Sequence, residues 1–163
     1  MASNIFIQFT KPSGSGPAVR GSSEEAGHPH WVELQSFSWG VTRSTRVDAS
    51  GERETATSQP TDIFMTTDDG AAFTGLFRGC GMGTNYGSVT IEAVRDGRAY
   101  MRLELEDVLI SSCQVLGGRH DTAPTIRFSI NARKIKATSL PQATDPAGPA
   151  AWPQQSPPPK KKP

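Results

Sequence analysis

The sequence predicts a mainly β protein: a small antiparallel barrel with one α-helix packed on it, long loops and a proline-rich C-terminal segment. Three observations carry this reading. Apolar and polar residues alternate with period 2 in stretch after stretch, as at Phe37, Trp39 and Val41 or Met101, Leu103 and Leu105. A helical stripe of period 3.6 occurs at Phe73, Leu76, Phe77 and Cys80. From Thr138 onward the composition changes, with eight of the 13 prolines in the last 26 residues.

In chain order, Asn4 to Thr10 reads as a strand with Ile5, Ile7 and Phe9 on one face. Lys11 to Pro29 is rich in Gly, Ser, Pro and Glu and reads as a long loop, in which His28 and His30 are expected to be solvated. Trp31 to Val41 is the stretch around which the chain is organised. It holds two of the three tryptophans, with Phe37, Trp39 and Val41 on the buried face. Val32 and Leu34 run in the opposite phase, which requires either a bulge near Gln35 or a strand covered on both faces.

Thr42 to Pro60 shows no periodicity and reads as a second long loop. Its charges, Arg43, Arg46, Asp48, Glu52, Arg53 and Glu54, suit a polar partner surface. Thr61 to Thr67 is a short strand. Thr67-Asp68-Asp69-Gly70 places carboxylates at the start of the helix, and Gly79 and Gly81 are read as its end. Val89, Ile91 and Ala93 share a face of the next strand, and Arg95-Asp96-Gly97-Arg98 is a hairpin turn. The strand that follows points Arg102, Glu104 and Glu106 outward, changes phase after Asp107 and carries on with Val108 and Ile110, a second candidate bulge. Gly117 to Pro124 is a loop, and Thr125 to Lys136 is the closing strand. Six strands and one helix suit a small barrel. The domain division is residues 1–137 as the barrel and 138–163 as a disordered proline-rich tail with a basic end, Lys160 to Lys162, in which Trp152 is the candidate for docking.

Residues 1–136 carry 14 Lys/Arg and 15 Asp/Glu, a balance that argues against nucleic acid or an anionic membrane as partner. No apolar run reaches membrane-spanning length, and the N-terminus goes straight into Ile5-Phe6-Ile7 without the pattern of a signal peptide. Cys80 and Cys113 have no C-x-x-C spacing and read as packing residues of a chain folded in a reducing cytoplasm. His28-Pro29-His30 lacks further ligands for a metal, and no nucleophile, carboxylate pair or phosphate loop stands out. The expectation is no enzyme, no cofactor and no metal site.

Taken together, Val19-Arg20-Gly21-Ser22-Ser23, Phe37-Ser38-Trp39-Gly40-Val41, Asp62-Ile63-Phe64-Met65-Thr66 and Leu105-Glu106-Asp107-Val108-Leu109-Ile110-Ser111-Ser112 resemble, in order and spacing, motifs of the haemolysin-coregulated protein (Hcp) family. The resemblance runs from residue 3 to about 136. It implies an Hcp-like barrel that forms homohexameric rings, stacked into the tube of a bacterial type VI secretion system. It further implies effector cargo in the ring lumen, contact with the contractile sheath and spike or baseplate proteins, and passage from the cytoplasm to the extracellular space through the apparatus. Within that picture Arg43, Arg46, Asp48, Glu52, Arg53 and Glu54 are candidates for ring stacking or subunit contact, and Glu92, Arg102 and Glu104 for the lumen. A tail-tube subunit of a phage-like or extracellular contractile injection particle is the alternative, and a stand-alone binding barrel or an enzyme is the third reading.

Overall fold

The computed structural model describes residues 3–55 and 59–141, and only the backbone of 59 and 60. The tail expected to be disordered, with Trp152 and Lys160 to Lys162, lies outside the described residues beyond Pro141. The strands are β1 (Ser3–Pro12), β2 (Val32–Leu34), β3 (Ser36–Ser38), β4 (Val41–Thr42), β5 (Thr45–Val47), β6 (Arg53–Thr55), β7 (Gln59–Pro60), β8 (Ile63–Thr67), β9 (Asn85–Arg95), β10 (Arg98–Leu116) and β11 (Thr125–Ser139). The helix α1 (Phe73–Met82) follows a 3-10 turn at Gly70–Ala72.

One antiparallel sheet of seven strands runs β2-β1-β9-β10-β11-β8-β3. Its two edges are neighbours in sequence, because β2 and β3 flank the single residue Gln35. β2 pairs with β1 (Phe6 opposite Glu33), and β3 pairs with β8 (Phe37 opposite Met65). Gln35 N–H donates to Thr66 O at 2.8 Å and Thr67 Oγ1 to Glu33 O at 2.6 Å, stitching one edge to the other. The phase change at Gln35 is therefore the seam at which the sheet nearly closes into a barrel, a form that leaves little open edge. Val32 and Leu34 are buried and Phe37 and Trp39 pack half-buried on the core, whereas Val41, expected on the same face, is exposed.

Ile7, Phe9, Ile63, Met65, Val89, Ile91, Leu103, Leu105, Ile126, Phe128 and Ile130 fill the interior, as the alternating faces predict. The turn between β9 and β10 has positive φ at both Asp96 (51°) and Gly97 (72°), as a two-residue hairpin needs. Asp107 also has positive φ, 52°, and the inward face changes there from Leu105 to Val108. The register nevertheless stays in step, Glu106 opposite Lys134 and Val108 opposite Ala132. β9 (Tyr86, then Val89) and β11 (Ala132, then Ile135) turn over at the same level, so no extra residue is needed. The register shifts lie instead between Ala99 and Met101 and between Ile110 and Ser112.

Asp69 starts the helical segment as its carboxylates predict: Oδ1 accepts from Ala71 N–H at 3.1 Å. The helix end differs from expectation. Gly79 and Gly81 lie inside α1, and the stop is Gly83, left-handed at φ 63°, with Thr84 N–H bonding back to Gly79 O at 3.0 Å. Gly79 is required by packing, since a Cβ there would stand 2.5 Å from Tyr86 OH and 3.1 Å from Ile110 Cδ1. Only part of the predicted stripe is buried: Leu76 is enclosed and Cys80 half-buried, but Phe73 and Phe77 are 37% and 56% exposed.

Candidate functional site

Residues 13–31 form an ordered strap across the outside of the barrel. Gly21 N–H donates to His30 O at 2.9 Å and His30 N–H to Ser23 O at 2.8 Å, pairing the two limbs of the strap. Val19 enters the core cluster, and Tyr86 OH donates to Pro17 O at 2.8 Å. Asp69 ties the strap to the helix start, accepting Ser22 N–H at 2.7 Å on Oδ2 and Ser22 Oγ–H at 3.0 Å on Oδ1. Replacing it removes a cap and two strap bonds, so Asp69→Ala is expected to cost about 2 kcal/mol in urea unfolding and to speed hydrogen exchange over 20–31.

Beneath the strap, Phe6, Glu92 and Arg102 stand in one cross-strand row on the outer face of β1, β9 and β10. The sequence places Glu92 outward correctly but not in the open: it is 7% exposed. His28, expected to be solvated, covers the row, 8% exposed, stacked on Phe6 at 4.7 Å and edge-on to Trp31. His28 Nε2 meets Glu92 Oε2 at 2.6 Å and Arg102 Nε donates to Oε1 at 2.6 Å. Burial acts to raise the Glu92 pKa, but the hydrogen bonds from His28 and Arg102 and their charge outweigh it and hold the carboxyl below its usual value. An ionised carboxylate only accepts, so His28 donates from Nε2, and its buried Nδ1 has no partner among the described residues. Within the protomer Glu92 is therefore a covered charge, and Arg102 is occupied in holding it. His28 escapes sequence reasoning because its loop looks solvated by composition.

Further along the same strands the charges are open. Glu104 faces Lys136 at 3.6 Å, Glu106 faces Lys134 at 3.3 Å and Asp107 faces Arg133 at 3.7 Å, all at exposed side chains worth little individually to stability.

The segment expected to be a structureless loop, Thr42 to Pro60, is a two-tier arm. β4 pairs with β7 at its base and β5 with β6 beyond, and neither ladder joins the main sheet. Every described residue of the arm from Val41 to Thr55 is exposed, including Arg43, Arg46, Asp48, Glu52, Arg53 and Glu54. Arg46 lies opposite Glu54. Asp48 organises the tip, accepting from Ser50 Oγ at 2.6 Å, Ser50 N–H at 2.9 Å and Glu52 N–H at 3.0 Å. The Ser50 hydroxyl and these amides hold its carboxyl below the usual range. The arm thus presents fixed charge of both signs together with Val47, 65% exposed. Phe64 (54%), Phe77 and Met82 (54%) are further exposed apolar side chains.

An open groove of about 830 Å³ lies beside the strap, lined by Glu24, Glu25, Glu33, Asp68 and Asp69 among others. Among the described residues no three His, Cys, Asp or Glu side chains are grouped to hold a metal, and no helix is long and apolar enough to cross a membrane.

The described residues thus form a nearly closed antiparallel barrel with one helix, a strapped outer face and an exposed charged arm. The family model for the type VI secretion system effector Hcp matches residues 6–138. The chain belongs to the Hcp family of type VI secretion proteins. Solved structures agree in fold. A type six secretion system protein superposes with TM-score 0.78 at 20% identity, covering 88% of this chain and 87% of that one. A type VI secretion system effector from Yersinia pestis gives 0.71 at 16%, covering 91% and 96%, and Hcp1 from Salmonella typhimurium 0.69 at 17%, covering 86% and 88%. No curated protein matches the chain in sequence.

Proposed function

We propose that this protein is the tube subunit of a type VI secretion system. Protomers close into a homohexameric ring, rings stack into the inner tube, and the tube, carrying effectors in its lumen, is driven out of the cell by the contractile sheath. The observation that carries this reading is the arm. A β-hairpin whose ladders join no other strand among the described residues, and whose described residues from Val41 to Thr55 are all exposed, offers a surface for an assembly. Ring closure takes a heterologous contact, one face of a protomer against a different face of the next, and Arg43, Arg46, Asp48, Glu52, Arg53 and Glu54 are the arm side chains offered for it or for stacking. The role proposed is structural rather than enzymatic, with sheath and spike or baseplate proteins as further partners.

The open charge pairs of β10 and β11 are the better lumen candidates. Glu104 keeps the role expected of it, and Glu106, Lys134 and Lys136 join it, while Glu92 and Arg102 belong to the strap. The barrel is proposed to fold without the C-terminal tail, with its boundary after Leu140 and not Ala137, because β11 runs on to Ser139 and Leu140 N–H still donates to Tyr100 O at 2.8 Å.

Deleting residues 44–55 tests the arm directly. The barrel core should keep its melting temperature within a few degrees, since those residues bury almost nothing, while ring or tube species disappear in sedimentation. A deletion that leaves the assemblies unchanged removes the arm from the account.

A further inference from the structure

The open groove beside the strap takes no part in the surfaces above. Glu24 and Glu25 of the strap, Glu33 of β2 and Asp68 ahead of α1 line it with exposed side chains, and Asn4 and Phe6 of β1 form its barrel side. None of the ion pairs described above draws on these four carboxylates, and among the described residues no lysine or arginine lines the groove. Like charges around one concavity repel one another and concentrate cations. An acidic rim by itself is a solvated surface; the path of the chain beyond β11 is what gives this one an occupant. Leu140 N–H donates to Tyr100 O at 2.8 Å just past the end of β11. The Tyr100 hydroxyl in turn bonds Ser3 Oγ at 2.9 Å, and Ser3 is the residue before Asn4. The chain therefore leaves the barrel beside the β1 side of the groove.

Residues 142–163 carry Lys160, Lys161 and Lys162 against the single acid Asp145. Lys160 comes 19 residues after Pro141, a reach of up to about 60 Å when extended. Crossing from β1 to β2 takes only roughly 5 Å. A tether of this length holds the lysines near the groove at about millimolar effective concentration, so individually weak exposed charge pairs suffice to fill it. We propose that the Lys160–Lys162 run docks in the acidic groove of its own chain and bridges the strap carboxylates Glu24 and Glu25 to Glu33 and Asp68. The docked run offsets the charge of the groove and pins the strap to β2. The contact lies within one protomer and stands whether or not rings form, and the barrel folds without it.

The test is carbodiimide coupling of the folded full-length protein at low salt, which joins an amine to a carboxylate only where the two touch, followed by peptide mass mapping. An equal mixture of isotope-labelled and unlabelled protein separates links within a chain from links between copies. The expected products join Lys160, Lys161 or Lys162 to Glu24, Glu25, Glu33 or Asp68 within one chain, and they fade as salt is raised to about 1 M. Hydrogen exchange over 22–26 should be roughly three- to tenfold slower in the wild type than in Lys160→Ala/Lys161→Ala/Lys162→Ala. Glu24→Gln/Glu25→Gln should lose most of the links and that difference, while keeping its melting temperature because both side chains are exposed. Links formed mainly between copies, links from the lysines to the arm carboxylates Asp48, Glu52 and Glu54 instead, or no link together with unchanged exchange in the triple-lysine variant would each overturn the proposal. So would exchange over 22–26 that responds to Trp152→Ala and not to the lysine substitutions.

Discussion

Gly21→Ala is expected to destabilise the protein by at least about 3 kcal/mol, the upper end of what overpacking costs. A Cβ at Gly21 would stand 2.2 Å from Trp31 O, 2.6 Å from Trp31 C and 2.6 Å from Val32 Cα. All three atoms are backbone, so no rotamer change relieves the clash. Val32 begins β2, so any shift is passed to the seam where β2 and β3 join the two edges of the sheet. At this chain length the loss corresponds to a fall of roughly 6–12 °C in melting temperature. Gly81→Ala is the matched control. It sits in α1 with open space around it, and should be neutral or stabilising by up to about 1 kcal/mol. If both variants melt like the wild type, the close approach of strap and seam is not what holds the fold.

Glu92→Ala is the second large effect expected, about 2–4 kcal/mol, because it strands buried His28 and the Arg102 guanidinium without their acceptor. The sign of the pH dependence follows from the same contacts. The Glu92 pKa is lowered on folding, so the stabilisation from its ionised form is complete above the ordinary glutamate value of 4.5 and is lost as pH falls through the lower folded value. Glu92→Gln keeps the shape but not the charge, and its urea midpoint should fall less steeply than that of the wild type over that acid window. Parallel profiles for the two would mean that the carboxylate is not ionised beneath the strap. Hydrogen exchange over 13–31 is expected to report the loosening first, since His28 is the strap's buried anchor.

These two sites also show how far the sequence could be read. The parity of every long strand was legible, because alternation records which face a side chain takes, and Asp96-Gly97 and Asp69 declared a turn and a cap through their own chemistry. Which outward residues end up covered was not. Glu92 alternates as an exposed residue should, and its cover arrives from His28, 64 residues away in a segment whose Gly, Ser and Pro content suggests solvent. The phase change at Gln35 was visible as a pattern, but that it joins the two edges of one sheet depends on pairing partners no local pattern contains. Gly79 was misread as a helix end for a related reason: glycine marks a stop and a close contact equally well, and only the presence of Tyr86 and Ile110 decides between them. The arm was hidden because short exposed ladders need no apolar alternation. Phe73 and Phe77 were misassigned because a helical stripe shows which residues share a side and not how much of that side the barrel covers.

The central claim is that this barrel is a ring-forming subunit, and the most direct measurement is negative-stain microscopy of the purified full-length chain alongside sedimentation velocity. The account predicts uniform rings of hexameric mass, with stacks appearing as concentration rises. A single monomeric species at every concentration, with no rings on the grid, would contradict it.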